Sequence, residues 1–340
     1  MRWQLLMILL LLVFFHGCTQ KEYVVGNNTA NQNNTANQNS TAIQDNPTYP
    51  SVSRADAIPS DAQKIAPQDD NFPPILHSDD WQAPVPLEGL VNTAGAEDSP
   101  FITPDGIDFY FFFTPDVSVP PEKQLFDNVT GIWHAKKING IWSEPSRVWL
   151  IEPGKLALDG CEFIQNDLMW FCSAREGYSG INLFTAKRVN GRWQDVGYVG
   201  DKLMKEYETG EMHLSANGSE LYFHSGRDGG KGGLDIWVSQ MHGGEWQGPV
   251  NIEAINTADN EGWPYLSSDG NELWFTRFYQ GSPAIFRSQK ANGTWGEPEL
   301  IISQFAGEPT LDDERNLYFT HHFYNDSKMI EADIYFAKRK

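Results

Sequence analysis

Residues 256–275 read NTADNEGWPYLSSDGNELWF, and residues 92–111 read NTAGAEDSPFITPDGIDFYF. In both stretches an Asn-Thr pair (Asn256-Thr257, Asn92-Thr93), a glutamate (Glu261, Glu97), a proline (Pro264, Pro100) and an Asp-Gly turn (Asp269-Gly270, Asp105-Gly106) stand at the same offsets. An Asp-Gly followed at once by an apolar run is a tight hairpin signal, because the turn needs positive φ. The same ordered set of words used twice in one chain points to an internal structural repeat.

Working outward, three markers recur five times each, about fifty residues apart. The first is a tryptophan, usually with proline three residues on: Trp81–Pro84, Trp142–Pro145, Trp246–Pro249 and Trp295–Pro298, with Trp193 the copy that lacks the proline. The second is a polar turn before an apolar strand, at Asp105-Gly106, Asn166-Asp167, Asn217-Gly218, Asp269-Gly270 and Asp312-Asp313. The third is a strand alternating with period two, beginning near Ile132, Ile181, Leu234, Ala284 and Asp333. A fifty-residue unit of short antiparallel strands is the size of a propeller blade. The last repeat ends without its tryptophan strand, and Trp81 precedes every complete repeat. The expectation is therefore an all-β, five-bladed β-propeller whose ring is closed by an N-terminal strand, Trp81–Leu87, completing the C-terminal blade.

These residues resemble the WD40-like repeat called PD40, found in TolB-type propellers. The matching text is Ile255–Thr257, Glu261–Pro264, Ser267–Phe275 and the Gly-rich run Gly229–Trp237, and the resemblance covers residues 81–340. It implies a propeller of the cell envelope. It implies no particular activity, since propellers host binding, scaffolding and catalysis alike.

The N-terminus reads as an export signal, residues 1–17, with Arg2 ahead of the apolar stretch Leu5–Phe15, which is too short for a comfortable membrane span. It ends in Gly17-Cys18, which resembles a lipobox and implies a lipid on Cys18. Residues 18–74, which include the polar low-complexity run NNTANQNNTANQNST at 27–41, read as a disordered tether. The propeller is expected over 75–340. The localisation that follows is the outer face of a cell membrane.

A formal charge of −20 argues against nucleic acid or an anionic membrane surface as a partner, the membrane being reached through the lipid alone. The plain meaning of that charge is solubility, and the sharper ones are a cationic ligand or bound metal ions. Two cysteines besides Cys18 remain, Cys161 and Cys172. If Asn166-Asp167 is a hairpin turn, residues whose numbers sum to 333 face each other, so this pair is either bridged or two buried free thiols.

In such propellers the strand before the Asp-Gly turn lines the channel. Glu97, Glu162, Glu211, Glu261 and Glu308 lie near the start of that strand, and Arg175, Arg227, Arg277 and His321 lie where its partner strand returns. Two readings compete: Glu–Arg pairs that pin the blades, or a polar pocket at the channel mouth. His213, His224, His321 and His322 read as ordinary strand positions. Residues 227–235, RDGGKGGLD, read as a long turn, so neither metal nor cofactor is expected. The insertion Pro115–Asn128 belongs at the same mouth, where a long loop suits a ligand-contacting lid. The functional expectation is a glycan-, peptide- or envelope-protein-binding module without catalysis. The alternatives are a glycosidase-like hydrolase using channel carboxylates and an envelope scaffold.

Overall fold

The computed structural model describes residues 49–200, 203 and 209–340. The export signal, Cys18 and the polar run at 27–41 lie outside the described residues. Among the described residues no helix is long and apolar enough to cross a membrane.

Five antiparallel blades follow one another along the chain. Blade 1 is built from Ala96–Ile102, Asp108–Thr114, Gly131–Ile138 and an outer strand in two pieces, Ile141–Trp142 and Ser146–Arg147. The split follows from the sequence: Pro145 has no N–H to give the ladder, so pairing stops and resumes beyond it. Blades 3 and 4 break their outer strand the same way, at Glu245–Trp246 with Val250–Asn251 and at Thr294–Trp295 with Glu299–Ser303. Blade 2 has no such proline, and its outer strand Arg192–Tyr198 is continuous.

The first strands of the blades are Ala96–Ile102, Ala157–Gln165, Thr209–Leu214, Glu261–Leu266 and Ala306–Leu311. Each touches the next, and the fifth touches the first, so the ring is closed around a channel. Closure uses the N-terminal strand as the sequence implies. Val85 and Pro86 pair with Phe336 and Tyr335, and Trp81 bridges to Arg339. The Gln82 and Leu87 amides donate to the Lys338 and Ile334 carbonyls at 2.8 Å. Trp81 is fully buried, edge-on to Trp274 at 5.4 Å, with its indole N–H on the Arg315 carbonyl.

The repeated words now have physical meanings. The Asn256 amide clamps the backbone of the preceding blade, donating to Ile236 O and accepting from Ile236 N. Asn92 does the same to Ile334. Thr257 holds Glu261 through its N–H and hydroxyl, as Thr93 holds Glu97. In the turn, Ser267 donates to Asp269 and accepts from the Glu272 N–H, while Asp269 accepts from the Asn271 N–H. Thr103, Asp105 and Asp108 repeat that network. Asn256→Ala is expected to cost about 2 kcal/mol, because the buried Ile236 amide loses its acceptor while its carbonyl keeps the Ile252 N–H. Denaturant unfolding checks this, and Asn92→Ala should match it, since Ile334 O likewise keeps the Leu87 N–H.

The segment from Tyr49 to Pro74 differs from the expectation of a free tether. It is a strap laid over the propeller, because it carries the partners of groups that the blades leave buried. Ser53 caps the single-turn helix Arg54–Ala57, and Arg54 plunges into blade 1. Val52, Ala57 and Ile58 pack on the blade 1 core, and Ile65 packs on the core between blades 4 and 5. Lys64 pairs with Glu331 and with Asp333 (2.5 Å), and Asp70 pairs with His321 at 2.8 Å. The strap then continues into Ile75–Leu76, which adds to the outer strand of blade 4.

Candidate functional site

The predicted glutamates fall at three positions once the strands are in register, Glu162 standing alone one residue after the bulge. The rungs Phe101↔Tyr110, Phe163↔Trp170, His213↔Tyr222, Tyr265↔Trp274 and Thr310↔Tyr318 are equivalent. Each first strand carries a bulge just ahead of that rung. Counting back from it, Glu97 and Glu261 share one position, and Asp159 holds it in blade 2.

At this position the carboxylates are pins. Arg277 donates to Glu261 at 2.7 Å and to the Ile255 carbonyl, lying over Phe275 and Phe286. Arg175 pairs with Asp159 at 2.7 Å and bonds Leu150 O, over Phe171 and Phe184. It therefore does not neutralise Glu162. Arg227 bonds Ser225 and the Leu203 carbonyl, over Phe223 and Trp237. Blade 1 has Phe113 opposite Glu97 and no arginine at the end of that strand. Arg54 of the strap fills the place, bonding Glu97 (3.1 Å), Val91 O and Leu90 O (both 2.6 Å) over Phe111, Phe113 and Trp133. His321 is fully buried against Asp70.

Glu211 and Glu308 occupy a different position, the bulge itself, with Ser99, Cys161 and Trp263. Four of these five are non-glycine residues at positive φ: Ser99 (47°), Cys161 (57°), Trp263 (52°) and Glu308 (58°). Left-handed backbone at ordinary residues is strained and turns up where function over-determines the geometry. Here it brings the five positions together around the channel. The Ser99 N–H donates to Glu308 (2.6 Å) and its hydroxyl to Glu211 (3.0 Å), and the Thr320 hydroxyl donates to Glu308 (2.7 Å).

The bulge also explains why Cys161 and Cys172 are free thiols. The rungs Gln165↔Leu168, Ile164↔Met169 and Phe163↔Trp170 keep the predicted register, but the bulge then places Gly160 opposite Cys172. Cys161 is displaced onto the channel wall. The Cys172 thiol beside it and burial push its own thiol well above the usual range.

Two cavities with shared wall residues lie in the channel among the described residues. The outer one, about 100 Å³, lies under Val117, Pro121 and Gln124 of the blade 1 insertion and Met329 of the blade 5 hairpin. The inner one, about 30 Å³, reaches Glu162, His213 and Tyr265. Ser99, Glu211, Trp263 and Glu308 border both. The insertion thus stands where a lid is expected, stiffened by the one-turn helix Pro121–Gln124 and by Gln124 bonding to Val119 O. The lengthened hairpin of blade 5, Leu317–Asn325 and Lys328–Ala337, covers the opposite side.

Among the described residues no cation pairs with Asp98, Glu162, Glu211 or Glu308. Burial, then the Glu308 charge, pushes Glu211 up to about 8. Burial, with Glu308, Glu211 and Glu162 adding to it, drives Asp98 well above the carboxylate range. Burial drives Glu162 up as well, and raises Glu308. Glu162 is only 5% exposed, and neither of its carboxylate oxygens is bonded to another residue among those described. Burial pushes His213 and His224 down to about 3 and His322 to about 4, so none of them supplies a positive charge near neutrality. Among the described residues no three His, Cys, Asp or Glu groups converge as metal ligands.

Asp98, Ser99, Trp263 and His322 line the channel without having been singled out from the sequence as site residues. The signal for Asp98 was present: the other four blades have Gly160, Gly210, Gly262 and Gly307 at its position. The RDGGKGGLD loop is a turn, drawn in by Asp235 accepting from the Lys231 (2.6 Å) and Gly232 (2.8 Å) N–H groups. A Cβ at Gly232 would lie 1.8 Å from the Asp259 carbonyl oxygen, which accounts for that glycine.

No protein-family profile matches the chain, and no curated protein matches it in sequence. Among solved structures, TolB from Acinetobacter baumannii superposes with TM-score 0.44 at 12% identity, over 73% of this chain and 55% of that one. An endo-arabinase from Bacteroides thetaiotaomicron gives 0.49 at 14%, over 75% and 97%. A xylan β-1,4-xylosidase from Bacillus halodurans gives 0.44 at 13%, over 74% and 53%. The chain spans about half the length of the first and third of these. The strand pairing and ring closure establish the propeller; likenesses at this level say nothing of activity.

Proposed function

We propose that this is an exported, lipid-anchored propeller of the PD40 type that binds a glycan, peptide or envelope protein at its channel mouth without transforming it. The carrying observation is a lidded cavity whose acidic floor has no paired cation among the described residues, although an arginine serves each pinned carboxylate. The outer cavity is small beside the roughly 300–1,000 Å³ of ordinary ligand pockets. It suits one projecting group of a larger partner rather than a whole ligand.

One observation favours hydrolysis as a second reading. A carboxyl held protonated near neutrality, as Glu211 is, beside carboxyls of different environment is the pairing that glycoside hydrolysis uses. The two readings part in one assay: the full chain against polysaccharides and envelope extracts, followed for retention and for released products. Retention without products is expected. Products that vanish in Glu211→Gln would replace the binding reading with the hydrolase, and neither signal would leave a scaffold.

A further inference from the structure

We propose that the channel is a site for a primary alkylammonium group, with its nitrogen among Glu162, Glu211 and Glu308 and its carbon stem in the outer cavity beneath the blade 1 insertion. This rests on the reading of the channel mouth as a ligand site and names the chemistry of what enters it.

The inner cavity is the place to begin. Its volume, about 30 Å³, exceeds the roughly 10–15 Å³ needed for one water, so it admits a group of ammonium size and excludes a planar guanidinium with its five donors. Glu162, Glu211 and Glu308 all line it. Glu162 is the decisive residue: nearly fully buried, on the cavity wall, with neither oxygen bonded to another residue among those described. A buried carboxyl left this way is costly. Arg147 acts on Glu162 only through space. Its two terminal nitrogens bond the carbonyls of Thr130, Ile132 and Val148.

A donor-only cation with three N–H groups answers three carboxyls, one of which accepts from no other described residue. The outer cavity suits an alkyl stem. Phe112, Val117, Trp263 and Met329 contribute to its wall, and Trp263 borders both cavities, where its ring face favours a passing cation. Calcium, a cation without N–H donors, is the competing occupant and is included in the test. Lysine side chains of a polypeptide and free alkylamines share the ammonium chemistry.

The test is calorimetry on the full chain with Nα-acetyl-lysine amide, Nα-acetyl-arginine amide, n-butylammonium and calcium, each in two buffers of different ionisation enthalpy. Saturable binding of the lysine amide and butylammonium is expected, at least tenfold tighter than the arginine amide, with release of protons from the carboxyls. A preference for the lysine amide over butylammonium would assign the group to a polypeptide, and equal binding would assign it to a free amine. Glu162→Gln should weaken either at least tenfold. Proton release by the unaltered chain tests the site even if that variant fails to fold. No saturable ammonium binding, equal affinity for the arginine amide, or binding of calcium alone would overturn the proposal. An envelope ligand retained by the chain but not displaced by butylammonium would overturn it while leaving the binding reading intact. Ammonium binding with no macromolecule retained would do the reverse.

Discussion

Replacing Arg54 with alanine is expected to lower the stability of the folded chain by about 3–5 kcal/mol, the usual cost of removing one partner of a buried ion pair. Arg54 is 4% exposed and Glu97 is fully buried. The guanidinium also satisfies two backbone carbonyls and covers three aromatic rings. Burial already pushes Glu97 up to about 8 even with Arg54 opposing it. In the variant Glu97 must take a proton to stay buried, and that becomes harder as pH rises. The loss should therefore be larger at pH 9 than at pH 6. Glu97→Gln in the same chain should recover part of it and remove the added pH dependence. Denaturant titrations of the two single variants and the double variant at both pH values give the cycle. A loss under 1 kcal/mol would mean that residues 49–74 lie on the propeller without stabilising it.

That result bears on why the strap was illegible while the propeller was plain. The blades announce themselves because each rests on local rules repeated five times: a turn that needs Asp-Gly, a strand of alternating residues, a tryptophan before a proline. Even ring closure followed from one displaced marker, Trp81. Arg54, Lys64 and Asp70 sit in a stretch without periodicity, next to a low-complexity run. Their partners are Glu97, Glu331, Asp333 and His321, up to 269 positions away for Lys64. Nothing local encodes such pairs. A missing arginine in blade 1, visible beside Arg175, Arg227 and Arg277, was the one hint.

The channel was half legible for a related reason. Five glutamates near five strand starts look like one ring. A bulge shifts residues by one or two places, and period-two alternation then changes which face they occupy. Glu97 and Glu261 became pins, Glu211 and Glu308 moved to the channel, and Cys161 left its partner's rung. Bulges depend on backbone geometry that composition does not write.

Raising the pH from 6.5 to 8.5 is expected to lower the melting temperature of the ligand-free chain by roughly 5–10 °C. Glu97 and Glu211 are raised to about 8, and Asp98 and Glu162 well above their usual values. A carboxyl whose folded pKa exceeds its unfolded one contributes stability that is complete below the unfolded value and is lost as pH climbs through the folded one. The window begins at 6.5 because of the histidines. His213, His224 and His322 are depressed, so their contribution is present above about 6.5 and is lost on acidification, opposing the carboxyls there. Above 6.5 the histidines add only the last few tenths of a kcal/mol each, about 0.4, and the carboxyl effect dominates. Glu211 faces Ser99, Cys161 and Glu308, and Glu211→Gln should remove about 2–4 °C of the fall. Saturating butylammonium at pH 8.5 should restore stability in the unaltered chain more than at pH 6.5, because only a cation can replace the protons the cluster has lost. A melting temperature flat across this window would mean that the channel carboxyls are already neutralised, and both the acidic floor and the ammonium site would lose their basis.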